Sequence, residues 1–501
     1  MISPAYADLG AKLRRAHLLS TVADLLSWDE QVNLPPASAE QRARQMALLA
    51  ELQHAAASDA RIGELLATLE ATKTTLGADE LIVVRQARRD YDRMARLPSE
   101  FVSEKATLSS QAYHAWAQAR AQNDFPGYAP FIEKHLGLAK REAAYLGFGD
   151  SPYDCFIDQM DPGLTAATVG RLFDELKQGL VPLGKKILAA PRPSPGLLSA
   201  FPVEGQQAFL REVTERLGFD YQRGRIDVSL HPFCSGTGAD TRMTTRFKEN
   251  EPLDSLFSAI HETGHGLYEQ GLPLDEAGTA LGMHAGMGIH ESQSRLWENQ
   301  VARGRAFWRY FEPRFRARFP QQTAAISSEV LYRAVNAVEP TPIRVDADEV
   351  TYNLHIILRF ELEKKLFAGD LAVRDLPAAW RESSRELLGL EPATDREGVL
   401  QDVHWSGGAF GYFPSYCLGN MIAAQFWYGA LAALPGLEDD FARGEFSRLL
   451  DWLRTRVHRQ GRRYEPLALV REVTGEDLSP RYLLRYLQER YGSLYLASSA
   501  S

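Results

Sequence analysis

The pentapeptide His261-Glu-Thr-Gly-His265 sets two imidazoles four residues apart with a carboxylate directly after the first. On a helix, positions i and i+4 share a face, so both rings can reach one metal ion. Glu262 then stands where metal-dependent peptidases keep the carboxylate that draws a proton from the attacking water. The flanking residues predict the helix this requires. Asn250 and Pro252 suit its start, and Leu253, Leu256, Phe257, Ile260 and Leu267 form an apolar stripe. Gly264 costs about 1 kcal/mol in a helix interior. Close approach by another backbone or by a substrate would explain it.

Two histidines do not complete a catalytic site, which takes three protein ligands and keeps one position open. The extended pattern with a third histidine is excluded, because its places hold Tyr268 and Gly271. A second helical stretch, Ile289-His-Glu-Ser-Gln-Ser-Arg-Leu-Trp-Glu298, offers Glu291, 26 residues past His265. Asp275, Glu276 and Glu298 compete on spacing alone, so chemistry by itself leaves the third ligand open.

Most of the chain that must position these groups reads with a helical period. Residues 4–28, 38–76, 78–96, 99–123 and 127–146 are predicted as polar-faced helices, an N-terminal array. Pro191, Pro193 and Pro195 mark a turn-rich connector. This divides an N-terminal region, 1–190, from a catalytic region, 204–501, within one continuous fold. The clearest strand is Arg225–His231, where Ile226, Val228 and Leu230 alternate with polar residues. Asp240–Arg246 reads as a second strand, so the fold class is mainly α with a small sheet beside the HETGH helix.

Composition narrows the function classes. There are 56 basic against 65 acidic residues, a net charge of −9, with no footing for nucleic acid or an anionic membrane. Three separated cysteines, Cys155, Cys234 and Cys417, form neither a disulfide framework nor a thiolate metal site, and suit a reducing cytoplasm. No apolar leader is visible, since Arg14, Arg15 and Asp24 interrupt the first helix. The uncharged stretch Trp405–Leu437 is broken by glycines, Asn420, Gln425 and Pro435, and reads as a helix buried in a large core rather than a membrane span.

Five ordered motifs make the sequence resemble the thermostable (Taq-type) zinc metallocarboxypeptidase family. They are Asp240-Thr-Arg-Met-Thr244, His261–His265, His290-Glu-Ser-Gln293, Ile343-Arg-Val-Asp-Ala-Asp348 and Gly398-Val-Leu-Gln-Asp-Val-His-Trp405. His231-Pro-Phe233 and the segment Leu26–Pro36 are also similar to that family. The likeness spans nearly the whole chain. It implies an elongated, multi-helix, neurolysin-like body with a long substrate groove, to which the N-terminal region contributes one wall or lid, and a homodimer. It also implies Zn²⁺, with Co²⁺ as a possible substitute, on His261, His265 and Glu291, and Glu262 as general base. The expected reaction is removal of single amino acids from the C-termini of peptides with broad specificity. An endopeptidase, a dipeptidyl carboxypeptidase and an inactive peptide-binding scaffold are the alternatives.

A carboxypeptidase has to recognise a terminal carboxylate, a task suited to the planar, two-pronged donor of arginine. The resemblance gives this role to Arg344; the alternative is a structural pair with Asp346 or Asp348. Asp348 is expected to cap the following helix, which Gly369 ends, and Tyr352 and His355 lie one and two turns along it. His404 and Tyr416 are candidates to stabilise the developing oxyanion, with Tyr412 as a further substrate contact. Arg242 could bind substrate or pair with Asp240. Gln401 and Asp402 could orient a metal-bound histidine or fix their own loop.

Overall fold

The computed structural model describes residues 3–190 and 199–496. The proline connector at 191–195 lies outside them. Among the described residues the chain forms twenty-two α-helical segments and one three-stranded sheet. It is mainly helical, as its periodicity predicts.

The N-terminal array follows the predicted boundaries closely, with helices Pro4–Val32, Ala78–Ala95, Ser99–Gln122 and Phe125–Tyr145. The stretch predicted over 38–76 is instead two helices, Ala39–Ala57 and Ala60–Ala71, and a 3-10 turn. Asp59 makes the break: its carboxylate accepts the Arg61 N–H and starts the second helix.

The chain gathers into two compact units, each assembled from separated segments. The first comprises Met1–Ala95, Pro195–Val335 and Phe426–Asp477; the second comprises Arg96–Ser194, Asn336–Gln425 and Leu478–Ser501. Phe201, Phe209, Phe307, Phe311 and Phe315 build an aromatic core in the first. Tyr153, Phe156, Phe360, Phe367 and Phe410 do so in the second.

The sheet belongs to the first unit and has the order β1-β3-β2, with β1 Gly224–Val228, β2 Phe233–Thr237 and β3 Asp240–Thr245. β1 and β3 are parallel, while β2 and β3 are antiparallel. β2 escaped the sequence reading, because Phe233-Cys-Ser-Gly-Thr237 shows no clear alternation and contains a glycine. Thr244 Oγ1 accepts the Phe233 N–H at 3.1 Å and lies 2.6 Å from Ser229 Oγ, which ties the HPF segment to the middle strand.

The uncharged stretch forms helix Phe413–Ala433, in which Cys417, Met421, Ala423, Ala424 and Phe426 are fully buried. No described helix is long and apolar enough to cross a membrane. None of the three cysteines is joined in a disulfide.

Candidate functional site

The HETGH helix runs from Pro252 to Gly271 and begins with Pro252 at its first position. Asn250 stands before it and accepts the Ala200 N–H. The HESQ helix, Met287–Arg295, crosses it at Gly264: a Cβ there would lie 2.5 Å from Ser294 Cα and 2.6 Å from the Gln293 carbonyl oxygen. The glycine thus admits a second backbone, which brings Glu291 to the two histidines. After Arg295 the helix widens into a π-helical segment, Leu296–Ala302, and this carries Glu298 inward as well.

Ligand atoms of His261, His265 and Glu291 all lie within 4.8 Å of one another. Glu291 Oε2 stands 3.8 Å from His261 Nε2 and 3.5 Å from His265 Nε2. Bonds of about 2 Å at tetrahedral angles would separate ligand atoms by about 3.3 Å, so the set fits a small divalent cation. Chemistry fits too, with two imidazoles and one carboxylate. Arg295 Nε holds the other carboxylate oxygen of Glu291 at 2.6 Å, which leaves Oε2 facing the rings.

Partners behind the histidines fix which nitrogen points inward. His261 Nδ1 is 2.9 Å from Glu298 Oε2, and Arg295 and Arg303 also engage that carboxylate. His265 Nδ1 is 2.6 Å from His290 Nδ1, and His290 Nε2 is 2.9 Å from Glu269 Oε1. If the His265 Nδ1–H donates to His290, then His290 Nε2–H donates to Glu269, and every proton in the chain is placed. Glu298, a rival for the third ligand on spacing, lies behind His261 instead.

Burial dominates the ionisation of this cluster. It pushes Glu262 up to about 7, with His261 opposing. It also takes His265 down to about 3, a neutral imidazole. Burial would raise Glu291 too, but Arg295 and His261 outweigh it and hold the carboxylate far below its ordinary range.

A second polar cluster lies wholly in the other unit. Arg344, only 7% exposed, directs Nε and Nη2 at Asp402 Oδ1, each at 2.9 Å, and Nη1 at Tyr352 Oη at 3.1 Å. Its partner is therefore Asp402, not Asp346 or Asp348. Asp348 accepts the Val350 and Thr351 N–H groups ahead of helix Tyr352–Ala368, which ends at Gly369 with φ +84°. Gln401 accepts the Arg344 N–H at 2.8 Å. The QD pair thus fixes the arginine segment, by backbone and side chain respectively.

His404 Nε2 is 3.2 Å from Tyr416 Oη, and the Tyr412 ring lies 5.4 Å from that of His404. Burial lowers His404 to about 4, so it is neutral at neutral pH. Glu363 anchors this loop, accepting from Trp405 Nε1, the Gly411 N–H and Tyr153 Oη at 2.7, 2.9 and 2.8 Å. Gly411, at φ +70°, meets the Phe156 backbone too closely for a side chain. Arg242, on β3, forms a two-pronged pair with Asp240 and stacks on Trp28, 4.2 Å from the ring centroid.

Comparison with known proteins decides the family. Residues 8–491 match the family described as carboxypeptidase Taq (M32) metallopeptidase. Thermostable carboxypeptidase 1 of Thermus thermophilus is 44% identical, over 98% of this chain and 99% of that protein. Carboxypeptidase 1 of Bacillus subtilis is 38% identical, over 97% of each. The crystal structure of M32 carboxypeptidase from Deinococcus radiodurans R1 superimposes with a TM-score of 0.96 at 45% identity, covering 98% of this chain and 100% of that one.

The chain belongs to the carboxypeptidase Taq (M32) metallopeptidase family. It has the M32 fold and is a metallocarboxypeptidase that removes C-terminal residues from peptides. Within the M32 chain the structure gathers His261, His265 and Glu291 in one unit, and Arg344, His404, Tyr412 and Tyr416 in the other. The sequence reading missed Arg295, His290 and Glu269 as supports of the metal centre. Arg295 was accessible to it, four residues beyond Glu291 on the same helix. His290 and Glu269 were not, since only the helix crossing joins them.

Proposed function

We propose that this M32 carboxypeptidase is a zinc enzyme releasing one residue at a time, with His261, His265 and Glu291 as ligands. The observation that carries the reading is the convergence of both Nε2 atoms on Glu291 Oε2 with Glu262 beside them. Bound zinc supplies Lewis acidity to the attacking water and the scissile carbonyl; cobalt suits the same donors.

Glu262 takes the proton of the attacking water and returns it to the leaving amine. Glu298 and His290 keep the two imidazoles oriented through their Nδ1 atoms. Arg344 receives the terminal carboxylate. Five N–H groups belong to a guanidinium, and three of Arg344's are directed at Asp402 and Tyr352, so two remain for substrate. Neutral His404 and the Tyr416 hydroxyl are the donors for the oxyanion, and Tyr412 lines the same loop. Arg242 keeps its sheet contacts. A homodimer in the cytoplasm completes the reading.

The test uses metal-loaded protein and one N-acetylated peptide, as free acid and as C-terminal amide, with products read by mass spectrometry. Stepwise loss of single residues from the acid alone is the expected result. Internal cuts in both peptides would overturn the exopeptidase assignment, and loss of residues in pairs would overturn single-residue release. Elemental analysis of the purified protein identifies the metal.

A further inference from the structure

Asp402 is shared. Its Oδ1 accepts from Arg344, and its Oδ2 lies 2.7 Å from Arg359 Nε and 2.6 Å from Arg359 Nη2. Arg359 is fully buried, donates its Nη1 to the His355 carbonyl oxygen at 2.8 Å and lies over the Trp380 ring. It has no exposed edge with which to touch a substrate.

Two guanidinium groups therefore face one carboxylate. Glu363, another buried carboxylate on the Arg359 helix, directs its oxygens at Tyr153, Trp405 and Gly411 and forms no ion pair with either arginine. The imidazoles are neutral and add no charge. Burial lowers His355 to about 3 and His404 to about 4, and His355 Nε2 and His404 Nδ1 have no hydrogen-bond partner. The two arginines and Asp402 together carry one positive charge in excess, and ring nitrogens beside them are unsatisfied. Removing charge from water is costly unless an opposite charge meets it.

We propose that Arg359 is a positioning residue for terminal-carboxylate binding: by claiming half of Asp402 it leaves Arg344 net cationic toward substrate. Without it, Arg344 and Asp402 would form a closed, neutral, two-pronged pair. Such a pair orients the guanidinium but offers little net attraction to a second anion. This inference rests on the assignment of Arg344 to the terminal carboxylate.

The experiment measures KM and kcat of the metal-loaded enzyme on the N-acetylated free-acid peptide. Arg359→Met is expected to raise KM about 10-fold, equivalent to about 1.4 kcal/mol of binding, with kcat within about 2-fold. Arg359→Lys, which keeps the charge though not the two-pronged geometry, holds KM within about 3-fold of the parent. R359M/D402N removes both members of the inner pair, restores the surplus charge on Arg344 and brings KM back down. Should methionine unfold the chain, Arg359→Gln removes the charge with a polar side chain and reads the same quantity.

An unchanged KM in the folded neutral variant overturns the proposal. So does a lysine variant as impaired as the neutral one, which would mark a packing role, or a double variant that fails to recover. Arg344→Ala separates the two levels. If that variant still prefers the free acid to the amide, the assignment of Arg344 fails; if it loses the preference while Arg359→Met keeps its KM, only the role of Arg359 fails.

Discussion

The HETGH cluster and the Arg344 cluster use similar parts, buried carboxylates matched to arginines, and arrive at opposite charge. Around the histidines, three carboxylates, Glu269, Glu291 and Glu298, stand against two guanidinium groups, Arg295 and Arg303. Around Asp402, two arginines stand against one carboxylate. Each imbalance would be costly in isolation, because buried charge without a partner is disfavoured by several kcal/mol. On the proposed reading, the difference teaches that each cluster is completed from outside, one by a cation and the other by an anion.

Removing the cation breaks the comparison most severely. Chelation is expected to abolish peptide hydrolysis, and stoichiometric zinc to restore it; activity that survives with no metal detected would sink the metal assignment. Next in size, Glu262→Gln should lower kcat by about 10²–10⁴-fold, the range for a positioned general base, with metal content unchanged. Near-parental turnover would exclude Glu262 as the base.

For the Arg344 cluster, Arg344→Ala should cost about 2–5 kcal/mol of substrate binding, since the terminal carboxylate would lose its buried charged partner, seen as loss of preference for the free acid over the amide. The partners behind the histidines are expected to matter less. Glu298→Ala or His290→Ala should weaken zinc binding about 10–100-fold in competition with a chelating dye, a readout that does not depend on turnover.

The smallest expected effect concerns the loop anchor. Burial raises Glu363 to about 7 in the folded chain, against 4.5 ordinarily. A carboxyl raised on folding favours the folded state fully below about pH 4.5, and that contribution is lost as pH rises through about 7. Over that window the parent should lose about 1–3 kcal/mol of stability relative to Glu363→Gln. Parallel melting curves across pH 5–8 for the two proteins would remove Glu363 from this account.

Local pattern reached far into this protein. Four of the five N-terminal helical stretches, the HETGH helix and strands β1 and β3 follow from periodicity and capping, which act between residues close in sequence. Where Asp59 caps a new helix inside a continuous polar stretch, or β2 lacks alternation, local signals were too weak. Motif likeness named His261, His265, Glu291 and Arg344, but likeness transfers only the residues a motif contains.

By itself, the sequence determined a mainly helical chain with two histidines on one helix face and a glutamate next to the first, because helix geometry is set by spacing. Only the tertiary structure decided the rest. Gly264 lets two helices touch so that Glu291 rather than Glu298 meets the Nε2 atoms. Asp402, 58 positions after Arg344 and 43 after Arg359, comes to sit between the two guanidinium groups. No local rule couples residues so far apart; packing brings them together, and burial sets the charge they then need.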